Sequence, residues 1–251
     1  MAEARAQKAV EPKKSAPKKV PVVKKTIPKK SKGKIAIVID DWGYNTNNLD
    51  LIADINMPLT LAVLPFLNYS NEVAEFAHKH NYEVIIHMPM EPEDKTGVDL
   101  ESRTLMVDMS NETINKILNE AFADIPYAKG VNNHMGSLAT TDKGFILTVF
   151  RELKKNNLYF LDSFVVPDSV CYDVSRSAGI KFAKRSIFLD NQSSYAYIRG
   201  QLMELVREVD KTGYAVGIGH DRENTLKVLR EVTPQLAEEG YRFVFVSEIT
   251  K

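Results

Sequence analysis

Apolar residues recur along the chain in short runs: KIAIVI (34–39), LTLAVL (59–64), EVIIH (83–87), GVNN (130–133), LYFLD (158–162), YAVGIGH (214–220) and YRFVFV (241–246), with a further patch between Ile180 and Asp190. Runs of this length read as strands. Between them lie NEVAEFAHKH, NETINKILNEAF, KGFILTVFRELKKN and YIRGQLMELVREVDK, where apolar positions return at helical spacing. Ser70 and Thr141 punctuate helix starts, and Gly179, Gly213 and Gly240 follow helix ends. Strand followed by helix, seven or eight times over, predicts a parallel sheet, either an open doubly wound one or a closed barrel.

Composition narrows the choice. A chain of 251 residues with 44% hydrophobic and 26% charged side chains can bury a sizeable core, and its length suits a barrel. The lone Cys171 excludes a disulfide framework and any multi-cysteine zinc knuckle. No stretch approaches the roughly 20 apolar residues that span a bilayer, and the opening MAEARAQ lacks the apolar centre of a signal peptide.

The net charge of zero conceals an asymmetry. Residues 1–34 carry twelve Lys/Arg against two Asp/Glu, a net of +10, so residues 35–251 carry a net of −10. The Pro-Lys-Lys theme of EPKKSAPKKVPVVKKTIPKKSKGK offers almost nothing to a core, so residues 1–33 read as an extended, solvated arm or linker ahead of a domain at 34–251. Such a run attracts anionic surfaces non-specifically, which allows association with an envelope or membrane surface and implies no specific nucleic acid.

The polar residues fall at strand ends. Asp40 and Asp41 follow the first run, His87 the third, His134 the fourth, Asp162 and Ser163 the fifth, Asp190 the patch, and His220 with Asp221 the seventh. In a parallel barrel those ends share one mouth, where catalytic groups gather. Two adjacent carboxylates repel each other, and a divalent cation would neutralise that repulsion. Asp and neutral His are oxygen and nitrogen ligands of the kind Zn²⁺ takes. His78 and His80, on the polar stretch HKHN, read as solvated.

VIDDWG, EVIIHMPMEP, GVNNHMGS, LYFLDS, SIFLDN and GIGHDRENTL, in that order, resemble the successive motifs of the divergent polysaccharide deacetylase family over residues 34–250. The resemblance implies a distorted (β/α) barrel of about seven parallel strands, the NodB-like deacetylase barrel, and a metal-dependent hydrolase that removes acetyl groups from an N-acetylated glycan. It implies that Asp40 is the catalytic base, Asp41 a metal ligand and His220 the general acid. The wider class has a second histidine four residues after the first; here His87 is followed at that spacing by Glu91. The third ligand is then His134, at the adjacent strand mouth, or Glu91, since carboxylates also bind zinc.

The remaining residues take supporting roles in this reading. Asp162 and Asp190 orient a ligand histidine or meet substrate hydroxyls, Asp221 holds the His220 imidazole, and Trp42 either stacks on a sugar or plugs the barrel end. Relatives often carry an amino-terminal anchor or export signal before a Lys/Pro-rich spacer, so the resemblance implies a bacterial protein facing the periplasm or cell envelope, with the cytoplasm as the alternative. A non-catalytic envelope module that binds glycan or a protein partner is the competing reading.

Overall fold

The computed structural model describes residues 31–251, so the expected arm lies almost wholly outside the described residues. The chain runs β1 (Gly33–Trp42), α1 (Leu49–Ala53), β2 (Thr60–Val63), α2 (Ser70–Lys79), β3 (Glu83–Met90), α3 (Asn111–Asp124), β4 (Gly130–Met135), α4 (Lys143–Lys155), β5 (Tyr159–Asp162), α5 (Cys171–Ala178), β6 (Phe182–Lys184), β7 (Ile187–Phe188), α6 (Tyr195–Thr212), β8 (Tyr214–His220), α7 (Glu223–Glu238) and β9 (Tyr241–Val244). Among the described residues no helix is long and apolar enough to cross a membrane.

Every strand pairing is parallel, in the order β6-β5-β4-β3-β2-β1-β8-β7. The two ends of that order are consecutive in the chain, separated only by Arg185 and Ser186. The Ile180–Asp190 patch is thus one bent segment whose first half pairs with β5 and whose second half pairs with β8, curling the sheet into a distorted barrel of seven strand positions. The eighth apolar run does not extend the circuit. Among the described residues β9 pairs only with Gly33–Ala36 of β1, beside the place where β2 takes over from Val38 onward.

The strands are apolar on both faces because both are buried, as parallel sheets wrapped by helices require. On β1, Ile35, Ile37 and Ile39 face the helices, and Ala36 and Val38 face the barrel interior with Ala62, Ile85, Leu161, Val216 and Ile218. Three side-chain caps start helices where the sequence is polar: Ser110 accepts from the Thr113 N–H, Asp142 from the Phe145 N–H and Ser194 from the Tyr197 N–H. Thr141 therefore precedes the α4 cap by one residue. Ser70 lies inside the first turn of α2 and uses its hydroxyl on the Leu64 carbonyl at 2.5 Å.

Candidate functional site

At the carboxyl ends of the strands the interior turns polar. The register sets Asp40 against His220 and His87 against Asn132, placing four polar side chains at one level of the barrel. Strict alternation would send Asp41 outward after Asp40. Instead the β1–β2 register shifts between Ile39 and Trp42, and Asp41 adopts the left-handed region at φ 66°. That combination turns two consecutive carboxylates toward the same mouth. Trp42 then packs with no exposed surface into the apolar layer that Ile35, Ile37 and Ile39 share with the helices, so it neither stacks on a sugar nor fills the barrel interior.

Asp41, His87 and His134 converge. Asp41 Oδ1 lies 3.3 Å from His87 Nε2 and 3.3 Å from His134 Nδ1, and the two imidazole nitrogens are 3.1 Å apart. Asp41 Oδ1 is buried and receives no hydrogen bond of good geometry. Ligands at about 2.0–2.1 Å around a tetrahedral zinc lie about 3.3 Å from one another, so this carboxylate–imidazole–imidazole triangle fits a divalent cation.

Neighbours fix which nitrogen each ring presents. Asn132 donates from Nδ2 to Asp40 Oδ1 at 3.0 Å, so its Oδ1 is the atom that accepts from His87 Nδ1 at 2.9 Å. With Nδ1 committed to Asn132, His87 turns Nε2 toward Asp41 as the nitrogen that would meet a metal. His134 Nε2 lies 3.5 Å from Glu101 Oε1, which also accepts from the half-exposed Tyr44 hydroxyl at 2.6 Å. Neither Asn132 nor Glu101 is marked by sequence. Asn132 differs from its neighbour Asn133 only in strand parity, and Glu101 sits on a long loop after β3.

The charges respond to this crowding. Burial pushes the Asp40 carboxyl above the ordinary carboxylate range, against the pull of His87 and His220. Burial also works to raise Asp41, yet the His134 and His87 imidazoles beside it hold it well below that range. His134 is pushed up to about 9, because Asp41 and Glu101 outweigh the burial that opposes its charge.

His220 is held differently from expectation. Its Nδ1 donates to Asp190 Oδ1 at 2.7 Å, while Asp190 Oδ2 accepts from the His220 N–H at 2.8 Å and the Thr225 hydroxyl at 2.7 Å. Burial opposes the imidazolium, but Asp190 prevails and raises the His220 pKa. Asp221 does not hold this ring: successive side chains diverge, and its carboxylate accepts from Asn48 at 2.8 Å. Asp162 is also turned away from the mouth, accepting from the Phe164 N–H and the Ser169 hydroxyl, each at 2.7 Å. Glu91 is engaged by the Val107 N–H at 2.7 Å and by Lys95, apart from the three converging ligand atoms. His78 and His80 are exposed on the end of α2.

Comparison with known proteins places the chain. Residues 37–250 match the model of the divergent polysaccharide deacetylase family. The chain is similar to the uncharacterised protein YibQ of Escherichia coli K12, 37% identical over 81% of the chain, and spans 63% of that relative's own length. An uncharacterised protein of Agrobacterium tumefaciens C58 shares the fold with a TM-score of 0.83 at 20% identity, covering 88% of this chain and 91% of that one. A mutant of a CE4 family pseudoenzyme with restored enzymatic activity does so with a TM-score of 0.54 at 15% identity, over 86% and 67% of the respective chains. The chain belongs to the divergent polysaccharide deacetylase family.

Proposed function

We propose that the protein is a metal-dependent hydrolase that removes N-acetyl groups from a polysaccharide or cell-envelope glycan. The observation that carries this reading is the joint placement of the Asp41–His87–His134 triangle, the buried Asp40 beside it and the Asp190-held His220 at one barrel mouth. A divalent cation, zinc by the donor set, supplies Lewis acidity for the acetamide carbonyl and acidity for a water molecule. Asp41, His87 and His134 hold it. Asp40, with Oδ1 engaged by Asn132, accepts the proton of the attacking water at Oδ2. Its burial makes it a stronger base than an exposed carboxylate. His220, with Nδ1 committed to Asp190, offers its proton at Nε2 to the departing amine nitrogen. The exposed Tyr44, tied to Glu101 on the rim, presents a ring face for a sugar.

The Lys/Pro-rich run at 1–33 and the glycan substrate together support a bacterial, envelope-facing location, which fractionation of cells expressing the full-length gene would test. Fold alone guarantees no chemistry. The test of activity is acetate release from N-acetylated oligosaccharides, abolished by a chelator and restored by Zn²⁺. Retention of metal with no acetate from any N-acetylated glycan of a broad panel would instead establish a glycan- or protein-binding module on this barrel.

A further inference from the structure

A second feature lies outside the barrel, on the far side of its wall from the catalytic mouth. α5 packs on α4 and α6 packs on α7, and between α5 and α6 the outer face of the β6–β7 segment lines an open groove of about 980 Å³. Five cations line it: Arg176, Lys181, Lys184, Arg185 and Lys251. Glu208 is the one acid among the described residues that line it. Among the described residues none of the five makes a salt bridge, whereas other surface cations such as Lys79, Lys155 and Lys227 do. This concentration occurs on a domain whose residues 35–251 carry a net charge of −10.

The same groove carries aromatic rings. Tyr172 is 55% exposed and Tyr214 37% exposed, and both line it. Lys184 Nζ sits 4.1 Å from the centroid of the Phe164 ring and Lys251 Nζ 4.7 Å from that of Tyr214. Four exposed cations without salt bridges, Arg176, Lys181, Lys184 and Lys251, interleaved with exposed rings, suit a ligand that has both negative charge and flat apolar faces. A sugar polymer with carboxylates meets both demands, since the C–H face of a pyranose stacks on a ring while its carboxylate meets Lys or Arg. A nucleic acid bears a charge on every nucleotide, and the acidic remainder of the domain would repel it beyond the groove. An acidic peptide would meet the cations but gives the rings no flat partner.

The geometry points to the α5–α6 groove as a docking site for an anionic polysaccharide, one whose sugars carry carboxylates at intervals. The groove is separate from the metal-ligand cluster, so binding here is independent of whether that cluster catalyses deacetylation. Its upper end nevertheless reaches the rim, because Arg185 donates from Nε to the Ser163 carbonyl and from a terminal nitrogen to the Phe164 carbonyl, each at 2.6 Å.

The test is direct binding of a deacylated gellan oligosaccharide, which carries glucuronates at intervals and no N-acetyl group, to the purified chain, by calorimetry at two salt concentrations. Arg176→Glu with Lys184→Glu reverses two exposed cations on different elements, and should weaken binding about tenfold and flatten its salt dependence. Tyr172→Ala should weaken binding while leaving the salt dependence as it was, because it removes a stacking face and no charge. Circular dichroism of each variant checks that the fold is intact, and its metal content checks that the mouth is undisturbed. Unchanged affinity in the folded charge-reversal variant would overturn the proposal. So would binding of polyglutamate or single-stranded DNA as tight as that of the gellan oligosaccharide, which would assign the groove to polyanions in general.

Discussion

Asp40 and Asp41 are neighbours in sequence with unlike surroundings, and their roles separate on that account. Asp41, His87 and His134 bring their ligand atoms together, whereas Asp40 Oδ1 is committed to Asn132 and His220 Nδ1 to Asp190. Asp41→Ala, His87→Ala and His134→Ala should therefore each lower bound metal, measured by elemental analysis, and lose activity with it. Asp40→Asn and His220→Ala should keep near wild-type metal and lower turnover by about 100- to 10,000-fold, the range of a general base or acid. Loss of metal from Asp40→Asn alongside retention in Asp41→Ala would reverse the two roles. Asp190 gives a second expectation. The general acid works only while protonated, and Asp190 raises the His220 pKa, which keeps that form present to higher pH. Asp190→Asn removes the charge that does this, so the alkaline limb of the kcat/KM profile should move to lower pH while the acidic limb, set by Asp40, stays in place. An unmoved alkaline limb would show that His220 is not the group titrating there.

At the scale of elements, the site depends on how closely helices approach the barrel wall. β8 carries Gly217 and Gly219 on its outward face, and a Cβ at Gly217 would stand 2.7 Å from Leu205 on α6 and 3.2 Å from Ile37 on β1. These absences of side chain let α6 lie against β8, the strand that ends in His220. Gly217→Val should cost about 1–3 kcal/mol through overpacking, read as a lowered midpoint in thermal unfolding, with smaller effects on metal content. The bent β6–β7 segment is the other element that matters, because pairing one half with β5 and the other with β8 brings Asp190 within reach of His220, 30 residues further along the chain. The apolar patch announced strand there, yet nothing local says that its halves choose different neighbours.

The whole molecule divides chemistry from stability along the barrel axis, as parallel barrels do. At the end opposite the mouth, the buried Glu83 carboxylate accepts from the Tyr159 hydroxyl at 2.8 Å, the Thr60 hydroxyl at 3.0 Å and the Ser247 N–H at 3.2 Å. Tyr159→Phe removes one partner of a buried charge and should cost about 1–3 kcal/mol of stability in denaturant unfolding. Metal affinity and turnover should be unchanged by it; a parallel loss of turnover would show that the two ends are coupled. The ligand roles came from the family resemblance, which left His134 and Glu91 both open as the third ligand, whereas the alternation of strands and helices and the polar residues at strand ends, Asp41, His87 and His134 among them, were legible along the chain, because periodicity and strand termini are local properties of sequence. The partners of those residues were not. That Asp190 rather than Asp221 holds His220, that Asn132 rather than Asp162 orients His87, that Glu101 approaches His134, and that Trp42 is sealed in the core were decided only by the tertiary structure. The first, second and fourth depend on register between strands distant in the chain or on the left-handed turn at Asp41, where a one-residue difference sends a side chain to the opposite face of the barrel wall, and Glu101 comes in from the long loop after β3.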